Sequence, residues 1–263
     1  MTSSPAAGTG SPKIATRGLR KVYATRRGTV PAIDGLDFRA GAGEFVSIVG
    51  PSGCGKSTFL YILGGFVEAS GGEATADGVP IAGPDPARGI VFQEFVLFPW
   101  KTVLGNVAYG LAERGVPRRE RAAEARRYIE LMKLGGFEKH YPKELSGGMK
   151  QRVALARSLI MDPDILLMDE PFAAVDAQTR IDLQQELLAI WERTRKTVVF
   201  VTHSVDEALC LSDRVYVLSG RPARVRDVVA VGVPRPRDPE ALLEEPAYRE
   251  LHRRVWAQLR APA

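Results

Sequence analysis

Residues 44–58 combine the residue types and the spacing that hold phosphate groups. They match the phosphate-loop pattern G-x-x-x-x-G-K-[ST] at Gly50, Gly55, Lys56 and Ser57. Glycines allow successive backbone amides to point at phosphate oxygens, and a helix that starts at the lysine adds its positive end. The pattern predicts that Lys56 reaches the β- and γ-phosphates of a nucleotide and that the Ser57 hydroxyl holds Mg²⁺.

Four further polar residues follow predicted strands, namely Gln93, Asp169, Glu170 and His203. Buried strands that end in aspartate supply the Mg²⁺ ligand of phosphate-loop enzymes, which makes Asp169 a candidate for that role. A lone histidine is more often structural. His203, however, follows an apolar strand, and the carboxyl ends of strands are where α/β sheets bind ligands. These residues are therefore expected to lie beside the phosphate loop.

A second candidate anion site begins at Ser146. This serine precedes two glycines, Gly147 and Gly148, and then a helical run over residues 153–160. A serine in this position caps a helix, and the glycines leave the first amides of that helix accessible. Further along, Asp176 precedes a long amphipathic helix predicted over residues 177–193. The chain thus carries two phosphate-binding features rather than one.

Two residues near the phosphate loop each have two interpretations. Tyr23 lies ahead of the loop, where an aromatic ring can stack on a base, although packing is the commoner role for a tyrosine. Cys54 lies inside the loop, beside Lys56 and at a helix start, which favours a reactive thiolate. The alternative is that Cys54 is a small residue packed under the loop and unreactive because it is buried.

Length and composition indicate a globular α/β protein. The 263 residues suit one large domain or two small ones, and no apolar run approaches the roughly 18 residues of a membrane span. Residues 1–12 are rich in Ser, Ala, Gly and Pro, which predicts a disordered tail without a secretion signal. The two cysteines lie far apart, which favours a reducing cytosolic setting. The net charge of +5 is best explained by a solvated basic edge over residues 13–27, with contact to a membrane surface or nucleotide as alternatives.

The remaining patterns outline the order of the elements. Alternating apolar residues separated by turn residues predict strands over residues 13–19, 31–38 and 44–49, and an Asp-Gly turn predicts a hairpin over residues 72–84. A helical pattern follows over residues 103–134. Toward the end, the sequence predicts a hairpin within residues 221–233, a linker over residues 234–238 and a final amphipathic helix over residues 239–259.

Together these motifs resemble the ATP-binding subunits of ABC transporters over residues 13–220. The resemblance implies an α/β P-loop NTPase (RecA-like) core, an antiparallel β-subdomain and a helical insertion at about residues 94–160, followed by a C-terminal extension over residues 221–263. The motif at residues 145–152 is the most specific, because other phosphate-loop enzymes lack it. Two segments depart from the family pattern: residues 172–176 are Phe-Ala-Ala-Val-Asp instead of ending in Ser-Ala-Leu-Asp, and Ser204 follows His203 where Asp is common.

The resemblance also assigns roles to individual residues. Catalysis is assigned to Glu170 as general base, His203 as the γ-phosphate contact, Gln93 and Lys56. Mg²⁺ binding is assigned to Ser57, Gln93 and Asp169. ATP binding is assigned to Tyr23, Gly50, Ser52, Gly53, Cys54, Gly55, Lys56, Ser57, Thr58 and Asp176, and, from the facing subunit, to Ser146, Gly147 and Gly148.

The expected partners are a second ATP-binding subunit, a transmembrane permease and, indirectly, a solute-binding protein, but no nucleic acid. The subunit would lie peripherally at the cytoplasmic face of the cell membrane. Residues 98–107 and 234–238 resemble importers of nitrate, aliphatic sulfonates and taurine. An ATPase of an exporter or lipid-extraction system would share every catalytic residue, and a non-transport ATPase acting on DNA or ribosomes is a further alternative. Phe95, Phe98 and Trp100 are expected to contact the permease.

Overall fold

A computed structural model describes residues 11–26, 28–237, 242 and 244–261 of the chain. Most of the predicted N-terminal tail therefore lies outside the described residues. No helix within the described part of the chain is both long and apolar enough to cross a membrane.

Within the described residues, ten strands form two sheets. The strands are β1 Ile14–Thr25, β2 Gly28–Ala40, β3 Phe45–Val49, β4 Gly71–Ala76, β5 Val79–Pro80, β6 Arg88–Val91, β7 Ile165–Asp169, β8 Thr197–Thr202, β9 Arg214–Leu218 and β10 Val225–Ala230. The smaller sheet has the order β2-β1-β4-β5 and is antiparallel, which confirms the predicted early strands and the hairpin at Asp77-Gly78. The larger sheet has the order β10-β9-β3-β8-β7-β6 and is parallel except for β10.

The helices lie between and after these strands. They are α1 Lys56–Leu63, α2 Val103–Val107, α3 Tyr109–Glu113, α4 Arg118–Leu131, α5 Gly147–Leu159, α6 Ala177–Thr194, α7 Val205–Leu211 and α8 Pro246–Arg260. Helices α2 to α5 all follow β6 and precede β7, the interval in which the sequence places a helical insertion. Their apolar faces join one core cluster with α6 and the strand residues Phe45 and Phe200. A second cluster, including Phe38 and Phe59, packs α1 between the two sheets.

The order of the parallel strands sets the position of the site. β3, β8 and β7 are neighbours, with Val49 beside Thr202 and Asp169 beside Val201. All three strands are buried along their whole length, as continuous apolar runs predict. Because the strands are parallel, their carboxyl ends meet at one edge of the sheet. The phosphate loop, the Asp169–Glu170 pair and His203 therefore start from adjacent positions.

The C-terminal part differs from the sequence prediction in three ways. Residues 221–233 do not fold back on themselves, because Val225–Ala230 forms a single strand that pairs antiparallel with β9. Residues 234–237 are not a free linker, because Arg237 is 6% exposed and packs between α7 and the end of β10. The final helix, predicted from residue 239, is described from Pro246 onward, and part of the predicted interval lies outside the described residues.

Arg237 holds this region together through backbone carbonyls. Its guanidinium donates to the carbonyl oxygens of Leu209, Cys210, Ser212, Val231 and Val233. Burial lowers the pKa of Arg237 to about 10, with nearby Arg235 adding to the shift. The Pro-Arg-Pro-Arg composition suggested a linker, but one of its arginines is a buried connection between two elements.

Candidate active site

Lys56 lies at the start of α1 under the phosphate loop. The side chain is 4% exposed, and its Nζ donates to the carbonyl oxygens of Gly50 at 2.9 Å and Pro51 at 3.0 Å. The same Nζ lies 3.8 Å from a carboxylate oxygen of Glu170. The loop thus curls around the ammonium group, and the cation is held beside the end of β7.

Two glycines of the loop have backbone angles that other residues rarely adopt. Gly53 has φ +72° and Gly55 has φ +122°. At Gly55, a side chain would also place its Cβ 2.8 Å from the carbonyl oxygen of Ala32. Conformation and close packing both require glycine at position 55, as the phosphate-loop pattern predicts.

Ser57 and Asp169 meet at the base of the loop. The Ser57 hydroxyl donates to Asp169 Oδ1 at 3.0 Å, while Asp169 Oδ2 is buried without a hydrogen-bond partner. Burial is the main cause of a raised pKa for Asp169. A buried carboxylate oxygen without a partner, next to a hydroxyl, suits a hard divalent cation such as Mg²⁺. The donor set therefore fits the predicted metal.

Glu170 and His203 form a pair at the next step along the sheet edge. His203 Nδ1 lies 3.1 Å from Glu170 Oε2, and the Glu170 amide donates to the carbonyl oxygen of Val201 at 2.9 Å. Glu170 has φ +44°, a left-handed conformation that is costly for a residue with a side chain. The strained turn directs the carboxylate into the pocket beside Lys56 instead of along the strand.

These groups surround a pocket of about 440 Å³. Its walls are formed by Ala32, Ser52, Gly53, Gly55, Lys56, Ser57, Thr58, Gln93, Glu170 and Arg221. Eight of the predicted site residues, including Glu170, thus line this pocket. Asp169 contacts one of them, Ser57, and His203 contacts another, Glu170. Tyr23 borders this region, since its hydroxyl donates to the Thr58 hydroxyl at 3.4 Å.

The residues of the second candidate anion site lie together elsewhere. Ser146 caps α5 by accepting from the Met149 amide at 3.3 Å, and Asp176 caps α6 by accepting from the Thr179 amide at 3.0 Å. The two glycines pack against the Asp176 segment: a Cβ on Gly147 would lie 3.1 Å from the Ala174 carbonyl oxygen, and one on Gly148 would lie 2.4 Å from a Thr179 methyl carbon. Within the described part of the chain, the phosphate pocket is lined without these capping residues.

The comparison with protein families decides the identity of this arrangement. The model described as "ABC transporter" matches residues 33–173. These residues include the phosphate loop, the Asp169–Glu170 pair and the motif at residues 145–152, called the Ser146 motif below. The chain belongs to the ABC transporter family. The resemblance drawn from the motifs is therefore confirmed, and so is the fold class.

Three known proteins are similar to this ABC chain over most of its length. A taurine import ATP-binding protein of Burkholderia pseudomallei is 44% identical, covering 94% of this chain and 96% of the relative. An aliphatic sulfonates import ATP-binding protein of Bacillus cereus is 42% identical, covering 91% and 93%. A solved dimeric ATP-binding cassette in a post-hydrolysis state, bound to ADP and Pi, has a TM-score of 0.74 at 32% identity, covering 84% of this chain and 99% of that one.

Cys54 of this ABC chain is buried, which bears on its two interpretations. Its side chain is 1% exposed, and the thiol sulfur would lie 3.0 Å from a Cβ built on Gly50. Burial raises the pKa of the thiol, and this effect outweighs the nearby Lys56 charge. Burial thus supports the alternative interpretation, a small residue packed under the loop, and the reactivity of the thiol stays a prediction. The Cys54 side chain does not line the pocket.

Sequence reasoning missed two residues of this site. Tyr61 lies next to Asp169: burial and that carboxylate together raise the pKa of Tyr61 to about 12. Its signal was available, because Tyr61 follows Ser57 by four positions on α1 and so shares its face. Arg221 lies far from the phosphate loop in sequence and lines the pocket through the strand order alone. No local pattern announced it.

Proposed function

We propose that this chain is the ATP-hydrolysing subunit of an ABC importer and that it uses ATP with Mg²⁺. The observation that carries the proposal is the convergence of Lys56, the Ser57–Asp169 contact and the Glu170–His203 pair at one pocket. These groups provide what phosphoryl transfer to water requires, namely positioned cations, a metal-binding edge and a carboxylate beside the phosphate. No covalent intermediate with the protein is needed.

The division of labour follows from the positions of the side chains. Ser57, Asp169 and Gln93 would hold Mg²⁺, which neutralises charge on the phosphates when bound. The buried Lys56 ammonium would lie against the β- and γ-phosphates. Glu170 would orient a water molecule and accept its proton, and His203 would keep that carboxylate in place and contact the γ-phosphate.

A second copy of the chain is the proposed partner that completes each site. At the start of α5, Ser146 is exposed and Gly147 is half-buried, and neither residue lines the chain's own phosphate pocket. A helix start of this kind attracts anions. In a head-to-tail dimer, this surface would face the ATP bound by the other copy, as the dimeric state of the solved cassette suggests. Asp176 would lie beside it at the same interface.

An aromatic ledge, residues 95–100, is the proposed contact with the permease. Trp100 is 71% exposed, and its ring centroid lies 5.8 Å from that of Phe98, whose ring lies tilted against that of Tyr109 with the centroids 4.5 Å apart. Buried Asn106 fixes this loop, accepting from the Phe98 amide at 2.8 Å and donating to three backbone carbonyls. An exposed tryptophan beside half-buried aromatic residues on a rigid support is typical of binding surfaces.

The aromatic ledge borders a groove that lies between the phosphate pocket and α5. Gln93 lines both the phosphate pocket and a groove formed with residues 94–97, Lys150 of α5 and Ala174. Arg157 ties the same loop to α5, donating to the carbonyl oxygens of Val96 at 2.8 Å and Phe95 at 3.3 Å. A permease segment in this groove would therefore respond to the Gln93 side of the pocket and to the position of α5.

The names of the relatives support import of taurine or another small sulfonate. Import would use a permease in the cell membrane and a separate solute-binding protein. The chain would lie on the cytoplasmic face. Solute specificity would reside in the partner chains. Affinity purification from membranes in mild detergent tests this part. Co-purification of a permease encoded beside a solute-binding protein supports the proposal, and an export permease contradicts it.

Purified protein tests the catalytic part. The chain should hydrolyse ATP only with Mg²⁺ present, and Lys56→Ala should lower nucleotide affinity and reduce turnover by a factor on the order of 10² or more. Lys139→Ala is the matched control, since Lys139 is an exposed lysine outside the site. Equal activity of the wild type and Lys56→Ala would remove the phosphate pocket from the reaction.

A further inference from the structure

Arg221 belongs to a loop that is packed against the phosphate loop. The loop follows β9, which is the parallel neighbour of β3 on the side opposite β8. At one end, Leu218 Cβ would lie 3.2 Å from a Cβ on Gly50; at the other, Ala223 Cβ would lie 3.4 Å from a Cβ on Gly55. The loop that carries Arg221 thus supports the first and the last glycine of the phosphate-loop pattern.

Hydrogen bonds close this loop on itself and also join it to β2. Ser219 closes it, since its amide donates to the Arg224 carbonyl oxygen at 2.9 Å and its hydroxyl accepts from the Arg224 amide at 3.0 Å. Ala223 then joins it to β2, donating to the Ala32 carbonyl oxygen at 2.8 Å and accepting from the Asp34 amide at 3.1 Å. Ala32 itself lines the phosphate pocket. Arg221 therefore projects from a rigid base beside the pocket.

The guanidinium of Arg221 is exposed and uncommitted. Among the described residues, no carboxylate lies within ion-pair distance of it, whereas Arg224 on the same loop pairs with Asp34. An unpaired arginine in the wall of a phosphate pocket is a ready donor to phosphate oxygens, because its planar fork matches their geometry.

Resting on the proposed ATPase function, we propose that Arg221 is a nucleotide-binding residue that donates to phosphate oxygens common to ATP and ADP. Its loop approaches the pocket beside Gly55 of the phosphate loop and Ala32 of β2, and the amides of the phosphate loop cradle the α- and β-phosphates. Lys56, Gln93 and Glu170 form the wall assigned to the γ-phosphate and metal. Arg221 thus contributes to affinity for the nucleotide and leaves the hydrolytic step to other groups.

Isothermal titration of the purified full-length chain with ATP and with ADP, both with Mg²⁺, tests this inference. Arg221→Gln should raise both dissociation constants by a similar factor of about 10, since hydrogen bonds to charged groups are worth that much. The dissociation constants of Arg221→Lys should lie between those of the wild type and those of Arg221→Gln, because lysine keeps the charge but loses the planar, two-pronged donor geometry of the guanidinium. The loss should shrink at high salt, as expected for a partly exposed charge.

Arg224→Gln is the matched control, with the same change of charge on the same loop and a side chain directed to Asp34. It should leave both dissociation constants unchanged. Unchanged dissociation constants in Arg221→Gln, a loss for ATP but not ADP, or equal losses in both variants would each overturn the proposal. A wild-type chain that binds neither nucleotide would instead overturn the proposed function. Thermal unfolding without nucleotide verifies that both variants are folded.

Discussion

The phosphate pocket and the Ser146 motif are built in contrasting ways. In the pocket, the polar groups are partners of one another, and Lys56 and Asp169 are almost completely buried. At the motif, Ser146 and Asp176 are exposed, and each side chain only caps its own helix. The polar groups of the first region hold one another in place, whereas the second region offers an exposed helix start. Because only the first region is a formed pocket, we expect one chain to bind ATP but two chains to be needed to hydrolyse it.

The largest expected effect concerns the pocket. Glu170→Gln should retain ATP binding but lose turnover by about 10²–10⁴-fold, since the amide cannot accept a proton from water. Steady-state phosphate release measures this, alongside ATP affinity. Glu113→Gln, an exposed carboxylate outside the site, should behave like wild type. Near-normal turnover in Glu170→Gln would exclude Glu170 as the base.

The next largest effect is expected at Ser146, the exposed cap of α5. Ser146→Arg should abolish hydrolysis, on the order of 10²-fold or more, while the affinity of the monomer for ATP stays unchanged, because the arginine blocks the surface offered to the partner's nucleotide. Ser146→Ala loses only the cap, which costs about 1 kcal/mol, and should retain more activity. Loss of monomer ATP affinity in Ser146→Arg would place this motif in the chain's own pocket.

A substitution of Trp100 should affect transport through the permease without affecting ATP hydrolysis by the purified chain. Trp100→Glu should abolish assembly with the permease and transport, yet leave the ATPase activity of the purified chain within about two-fold, because the change lies at an exposed binding surface. Val79→Glu is matched in exposure, at 64% against 71%, and lies on the antiparallel sheet. It should support transport. Equal transport by both variants would remove the aromatic ledge from the interface.

The smallest expected effect concerns Cys54. Because the thiol is buried and its pKa is raised, a maleimide at neutral pH should label Cys54 slowly in the native chain, and ATPase activity should persist. Denaturant should expose it to labelling. Mass spectrometry of the labelled peptides measures both. Rapid labelling of Cys54 with loss of activity, prevented by ATP, would restore the thiolate interpretation.

What the sequence predicts well is local. The phosphate loop depends on the order of neighbouring residues, and apolar runs that end in polar residues give the strand ends; Glu170 and His203 could therefore be placed at one edge of the sheet. The roles assigned to these residues stay predictions. Arg221 could not be found in this way, because only the pairing of β9 with β3 brings its loop to the pocket.

Composition misled where burial was decided by distant partners. Cys54 lies beside a lysine in the sequence, but desolvation under the loop has the larger effect on its pKa. Arg237 lies in a proline-rich segment typical of linkers, but five carbonyl groups that end α7 and β10 compensate its burial. In both cases burial changes the pKa, and burial depends on the packing of the folded chain rather than on the composition of the local sequence.

The central claim is that the pocket of one chain and the Ser146 motif of another close around the same ATP. The most direct measurement is the mass of the Glu170→Gln chain by light scattering, with and without Mg²⁺-ATP, alone and combined with Ser146→Arg. We expect a monomer without nucleotide, a dimer with ATP, and a monomer with ATP bound once Ser146→Arg is added. An ATP-dependent dimer that persists in the double variant would contradict it.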